Sequence, residues 1–150
     1  MLNDDPVDIL VVEDNDEERA CIVEALKAAI ENVQVAAVHD GKQALDFLFA
    51  HGTYAERAAA DCPRLIMLDM QLPGSDGYAI LGQIRLLEPQ SAQALIPVVI
   101  FSDSQAASDI TRGYRCGANS YITKPVSYPD FLAIVESIGR YWITHNKAPA

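Results

Sequence analysis

The amino-acid sequence predicts an α/β fold in which helices cover both faces of a five-stranded parallel sheet. Short, continuous apolar runs are the first sign. Ile9-Leu10-Val11-Val12, Leu65-Ile66-Met67-Leu68 and Val98-Val99-Ile100-Phe101 lack the polar alternation of a half-exposed strand and suit strands buried on both faces. The second sign is order: strand-like and helix-like patterns alternate along the chain, as crossover connections between parallel strands require. The third is size. At 150 residues and 50% hydrophobic, the chain fits one domain, 1–150, with a core spanning about 7–143. No internal repeat, low-complexity block or second, output domain is expected, and the ends are expected to be short flexible tails.

Each element has a local reason. After the first strand, Asn15 or Asp16 can cap a helix running to about residue 29, with Ile22, Val23, Leu26 and Ile30 as its buried stripe. Residues 33–38 form the second strand, and Asp40-Gly41 opens a second helix in which Ala44, Leu45, Leu48 and Phe49 recur at helical spacing. The polar, alanine-rich stretch 52–63 is a long surface connection. The third strand is 65–69, followed by a turn at Pro73-Gly74-Ser75-Asp76-Gly77. A third helix spans 78–87 and stops near Pro89. The fourth strand begins after Pro97, and the fourth helix runs from Gln105 to Arg115 with Gly117 as its stop. The fifth strand is 120–123, and the last helix is 128–144.

Composition excludes several classes. With 11 Lys and Arg against 21 Asp and Glu, the formal net charge is −10, and no basic stripe exists to neutralise a nucleic-acid backbone. No apolar stretch approaches the roughly 20 residues that span a bilayer. The N-terminus, Met1-Leu2-Asn3-Asp4-Asp5-Pro6, is acidic and lacks the basic region of a signal peptide. Cys21, Cys62 and Cys116 are odd in number and widely spaced, which favours reduced thiols in a cytoplasmic protein over a disulfide or zinc framework.

The chemistry lies where the strands stop. The first run ends in Glu13-Asp14, the third in Asp69, the fourth in Ser102, and Tyr121-Ile122-Thr123 ends in Lys124-Pro125. Ligands of open α/β sheets bind beyond the carboxyl ends of the strands. Three carboxylates gathered there raise one another's pKa unless a cation sits among them. Mg²⁺, a hard cation that takes carboxylates, waters and phosphate oxygens, suits such a set. A carboxylate beside that ion can attack a phosphoryl group and form an aspartyl-phosphate. Lys124 can pair with phosphate oxygens, and a rigid bend at Pro125, as a cis peptide would make, would aim it over the crevice. Ser102 either bonds a phosphoryl oxygen or caps the fourth helix; the two are not exclusive.

The ordered set V-V-E-D-N, L-D-M-Q-L-P-G-S-D-G, V-V-I-F-S and Y-I-T-K-P resembles the receiver domain of two-component response regulators over about residues 7–143. The resemblance implies a doubly wound, flavodoxin-like (βα)5 fold with strand order 2-1-3-4-5, an order for which the chemotaxis receiver is the general example. It further implies that Asp69 is the phosphoacceptor. Asp14 and Asp69 would bind Mg²⁺ (or Mn²⁺ in its place) directly, with the backbone carbonyl of Gln71 as third ligand and Glu13 acting through water. Ser102 would follow the phosphoryl group, Tyr121 would swing inward with it, and Lys124 would contact the phosphate. Gln71, Asp103 and Ser104 occupy positions that tune phosphoryl lifetime in this family. An acid at Asp103 departs from the small residue usual there; it either repels anionic donors or caps the fourth helix.

The last helix carries a second signal. Phe131, Leu132, Ile134, Val135, Ile138, Tyr141, Trp142 and Ile143 cover more than one face, and the surplus around Ile134, Ile138, Tyr141 and Trp142 is either extra core or a surface for self-association. A homodimer would use the face of the fourth helix, fifth strand and fifth helix. The longer connection before the third strand and this Tyr-Trp helix resemble the single-domain regulators paired with bacterial and cyanobacterial phytochromes, which implies a sensor histidine kinase, a bacteriophytochrome among them, as partner. Turnover of a free substrate is not expected. A dehalogenase-type phosphatase would need a second acid where Gln71 stands, and a flavodoxin-like cofactor binder would need a phosphate-cradling loop where the chain has Glu13-Asp14-Asn15-Asp16-Glu17-Glu18. A phosphorylation-independent pseudo-receiver would be expected to lose an acid or the lysine, and none is missing.

Overall fold

Successive side chains on a strand point to opposite faces of a sheet, so a strand with helices on both sides must be apolar at every position. In the computed structural model, which describes residues 6–58, 61–86 and 91–149, strand β1 (Ile9–Val12) is such a strand. Leu10 and Val12 face one core, Ile9 and Val11 the other, and all four are buried. Strands β3 (Leu65–Leu68) and β6 (Val98–Ser102) are buried in the same way. With β2 (Val35–Val38) and β7 (Ser120–Thr123) at the edges, the sheet is parallel throughout in the order β2-β1-β3-β6-β7. This is the expected 2-1-3-4-5 arrangement.

Helices α1 (Asp16–Ala29) and α5 (Tyr128–Gly139) close one face, where Ile22, Leu26, Phe131, Val135 and Ile138 meet Val99 and Phe101. Helices α2 (Gly41–Phe49) and α3 (Gly77–Leu86) close the other through Phe47, Leu48, Ile80, Leu81 and Ile84. Helix α4 (Ala107–Arg115) is different: Gly113 is its one buried residue, seated against Ile100 and Tyr121. A helix with so little burial is held by few apolar contacts and is the one most easily moved.

Three local differences from the sequence expectations have physical causes. The expected turn after Asp69 is a small hairpin, β4 (Gln71–Leu72) against β5 (Ser75–Asp76), closed by Pro73-Gly74 with Gly74 at φ 65°. Proline and a left-handed glycine at the tip let the chain reverse in two residues. Beyond α5 the backbone continues as a π-helical segment, Arg140–His145, which buries Ile143 and exposes Tyr141. Residues 33 and 34 precede β2 and are not part of it. The expected helix end at Leu87 and Pro89, part of the 52–63 connection and the start of the N-terminal segment lie outside the described residues. No disulfide joins Cys21, Cys62 or Cys116.

The start of α3 is locked to the strand end beside it. A Cβ on Gly77 would lie 2.7 Å from Met70 Cα and 2.8 Å from the Asp69 carbonyl oxygen, both backbone atoms that cannot step aside. Gly77→Ala is therefore expected to destabilise the protein by about 1–3 kcal/mol, read as a lowered urea midpoint; an unchanged midpoint would contradict this packing.

Candidate functional site

Three polar residues at the sheet's carboxyl edge are each fixed by a backbone bond that continues the strand ladder one step. Glu13 N–H donates to the Val38 carbonyl at 3.0 Å, Asp69 N–H to Val12 at 3.0 Å, and Lys124 N–H to Ser102 at 2.7 Å. The reactive side chains thus leave from rigid backbone rather than from free loops, which is the general requirement for a precise site. Arg19 adds a clamp: its guanidinium donates to the Glu13 carbonyl (2.9 Å) and the Asp14 carbonyl (3.4 Å), and pairs with Asp16 at 2.5 Å. Asn15 caps α1 by accepting from Glu18 N–H at 2.9 Å.

The side chains form one electrostatic unit. Glu13, Asp14 and Asp69 each offer a carboxylate oxygen within 4.8 Å of the others, with Glu13 and Asp69 buried and Asp14 exposed. Lys124 Nζ donates to Glu13 Oε1 at 2.5 Å, Glu18 Oε2 at 2.8 Å and Asp69 Oδ2 at 3.4 Å. Asp69 Oδ1 accepts from Gln71 N–H at 3.2 Å, and Glu13 Oε2 from Asn15 N–H at 3.1 Å. Burial alone would lower the Lys124 pKa, but the hydrogen bonds it donates to Glu13 and Glu18 and the charge of Asp69 outweigh it and carry it above the usual lysine range. Burial pushes the Glu13 carboxyl up to about 8; Asp69 adds to the rise and Lys124 opposes it. The two directions pull against each other, because an acidic Glu13 would be a weaker anchor for the ammonium. With Glu18 and Asp69 also bonded to it, Lys124 stays cationic whichever state Glu13 takes. A set of oxygen acceptors this close, offset by one ammonium, has the chemistry to hold a hard divalent cation.

On the other side of Asp69 the hydroxyls connect to α4. Ser102 Oγ accepts from Ser104 N–H at 3.3 Å, Ser104 Oγ donates to Asp109 Oδ2 at 2.6 Å, and Tyr121 Oη donates to the Ser104 carbonyl at 2.9 Å. Tyr78 Oη donates to the Asp109 carbonyl at 3.0 Å, while the Arg112 guanidinium stacks 4.1 Å from the Tyr78 ring and pairs with Asp76 at 3.1 Å. Helix α4 is therefore tied through Asp109 to the Ser102 loop and to α3, and through Arg112 to the β4–β5 hairpin.

The structure brings Glu13, Asp14, Asp69 and Lys124 together, places Ser102 buried at the end of β6, and sets Tyr121 half-buried beneath the Ser104 loop. Gln71 meets Asp69 through its backbone N–H, and its side chain is exposed. Other expectations need correction. The Lys124–Pro125 bond is trans; the ladder bond to Ser102, not a cis bend, aims the lysine. Neither Ser102 nor Asp103 caps α4: its N-cap is Ala106, without a side-chain cap, and Asp103 is exposed. Ile138 is not available to a dimer surface, being 3% exposed and packed in the α1–α5 core. Ile134 and Trp142 are half-buried against that core, leaving Tyr141 as the exposed member of the four. Sequence reasoning missed Glu18 as a partner of Lys124. Residue type gave no distinguishing signal: Glu18 is one of three first-turn acids of α1, with Asp16 and Glu17, and only the fold brings it to Lys124.

Comparison with known proteins agrees with this geometry. The family model for the response regulator receiver domain matches residues 9–136. The chain is 37% identical over 146 residues to the probable methanogenesis regulatory protein FilR2 of Methanothrix harundinacea, covering 97% of this chain and 90% of that one. It is 31% identical to response regulator Rcp1 of Synechocystis, covering 97% and 95%; the Mn²⁺-bound structure of Rcp1 superposes with a TM-score of 0.85 over 97% of this chain and 100% of that one. The phosphorylated cyanobacterial phytochrome response regulator RcpA superposes with a TM-score of 0.87 at 34% identity, again over 97% and 100%.

The raised Glu13 pKa makes the acid cluster a pH-dependent liability when no cation offsets it. Folded Glu13 keeps its proton to about pH 8 and the unfolded chain releases it near 4.5, so in EDTA stability should fall as pH rises between those values. Glu13→Gln should remove that part of the slope and be the more stable protein near pH 8. Thermal melts of both proteins across the range check this; parallel profiles would contradict it.

Proposed function

The chain belongs to the response-regulator receiver family, and on that premise we propose that it accepts a phosphoryl group from a histidine kinase's phosphohistidine onto Asp69. The observation that carries the proposal is the convergence of Asp14, Asp69 and Lys124 at one edge of the sheet, with Asp69 bonded to both Lys124 and the following backbone. Asp14 and Asp69 would hold Mg²⁺ directly with the Gln71 carbonyl, and Glu13 would act through water. When bound, the ion would neutralise charge on the phosphoryl oxygens, leaving the phosphorus open to attack by the carboxylate opposite the departing imidazole. Mn²⁺ shares this oxygen-ligand chemistry, and the Mn²⁺-bound relative supports that substitution.

A carboxylate oxygen of Asp69 forms the new P–O bond as the P–N bond of the phosphohistidine breaks, and the imidazole of the donor leaves with the electron pair. Lys124 donates to a phosphoryl oxygen, offsetting the charge added to a buried group. Ser102, buried at the end of β6, supplies a hydroxyl for a second oxygen. Drawing Ser102 inward pulls on Ser104, and with it Tyr121 and Asp109, so a local charge event biases the position of the thinly packed α4. The output is a changed protein-binding surface. Turnover of a free substrate forms no part of this role.

The likeness to RcpA and to bacteriophytochrome response regulators supports a phytochrome-type kinase as donor. No helix among the described residues is long and apolar enough to cross a membrane.

Incubation with Mg²⁺ and acetyl phosphate, followed by intact-protein mass, tests the reading. A phosphoryl adduct is expected on the wild type and none on Asp69→Asn; with a phosphorylated phytochrome-type kinase as donor, the same adduct should form faster. No adduct from either donor would favour a phosphorylation-independent interaction module instead.

A further inference from the structure

We infer that Glu18 is a positioning residue for Lys124: it holds the ammonium away from Asp69 and competes with the incoming phosphoryl group for it, thereby restraining phosphorylation. The inference rests on the receiver reading above and adds a residue to the same site. An ammonium has three N–H donors and no more. Here the three are committed to Glu13 at 2.5 Å, Glu18 at 2.8 Å and Asp69 at 3.4 Å. The contact with the phosphoacceptor is the longest, so the charge sits nearer the two glutamates. A phosphoryl oxygen can gain a bond from Lys124 only if one of the present partners yields.

The surroundings of the three acids decide which one yields. Glu13 is 2% exposed and held at its other oxygen by Asn15 N–H. Asp69 is the group being modified. Glu18 has a side chain 35% exposed and can exchange the ammonium for water at little cost. Its place in the first turn of α1 also suits the helix dipole, but Asp16 and Glu17 occupy that turn as well. Among the described residues, Glu18 is the acid of that turn that pairs with Lys124. Helix stabilisation alone would not require its carboxylate to reach across to β7.

The test compares Glu18→Gln with Glu17→Gln, which removes the same charge from an exposed neighbour, in adduct formation at saturating acetyl phosphate and Mg²⁺. The rate constant is expected to rise about fivefold in Glu18→Gln, or ~1 kcal/mol at 1.36 kcal/mol per tenfold. The gain should persist in roughly 0.5 M salt because the contact is short and half-buried. Glu17→Gln is expected to change the rate by less than about twofold and to lose that change in salt. Glu18→Ala should behave like Glu18→Gln. In a Lys124→Gln background, slower in absolute rate, Glu18→Gln should have no effect, since its action runs through the lysine. A Glu18→Gln rate that matches Glu17→Gln, falls below wild type, or still rises without Lys124 overturns this inference while leaving the receiver reading intact. A wild type that never forms the adduct overturns both.

Discussion

One ammonium holds the functional edge of this protein together. Lys124 is buried, and it faces carboxylates from three different elements: Glu13 after β1, Asp69 after β3 and Glu18 on α1. Asp14 adds a fourth acid within the same cluster. Without a positive charge among them, these groups would repel, and burial would drive them toward their neutral forms. The lysine therefore does two jobs. It makes the acid cluster tolerable in a folded protein, and it donates to Asp69, the proposed phosphoacceptor. Both follow from the ladder bond that fixes its backbone to Ser102.

The rest of the fold serves that arrangement unequally. The three central strands are sealed on both faces, so the residues at their ends start from backbone with no freedom to drift. Helix α4 is the opposite case. It buries only Gly113, and it is secured by polar contacts of Asp109 with Ser104 and Tyr78 and of Arg112 with Tyr78 and Asp76. Polar contacts of this kind are individually weak and exchangeable. A rigid site beside a lightly held helix is a physical basis for converting a charge event into a surface change.

Much of this was legible in the sequence because burial on both faces leaves a mark that partial burial does not. The runs at Ile9, Leu65 and Val98 announced the central strands, and the polar residues that ended them were the site. What escaped detection depended on geometry that residue type does not encode. Glu18 looked like one more first-turn acid until the chain placed it against Lys124. Ile138 looked available for self-association, but the approach of α1 to Gly139, where a Cβ would lie 2.8 Å from Leu26, brings that part of α5 into the core. The hairpin after Asp69 was foreseen only as a turn, since two-residue strands leave no periodic pattern. Lys-Pro suggested a cis bend, whereas the strand ladder already supplies the direction.

The most direct test of the lysine's place in this account is the stability of Lys124→Met, which keeps the stem and removes the charge. Urea unfolding in EDTA, near pH 8 and near pH 5, compares conditions in which Glu13 is substantially ionised and largely neutral. The expected result is a loss of about 3 kcal/mol or more at the higher pH, as for breaking a buried ion pair, and a clearly smaller loss at the lower one. A variant as stable as wild type near pH 8, or one that loses the same stability at both pH values, would contradict the claim that this ammonium holds the acid cluster together.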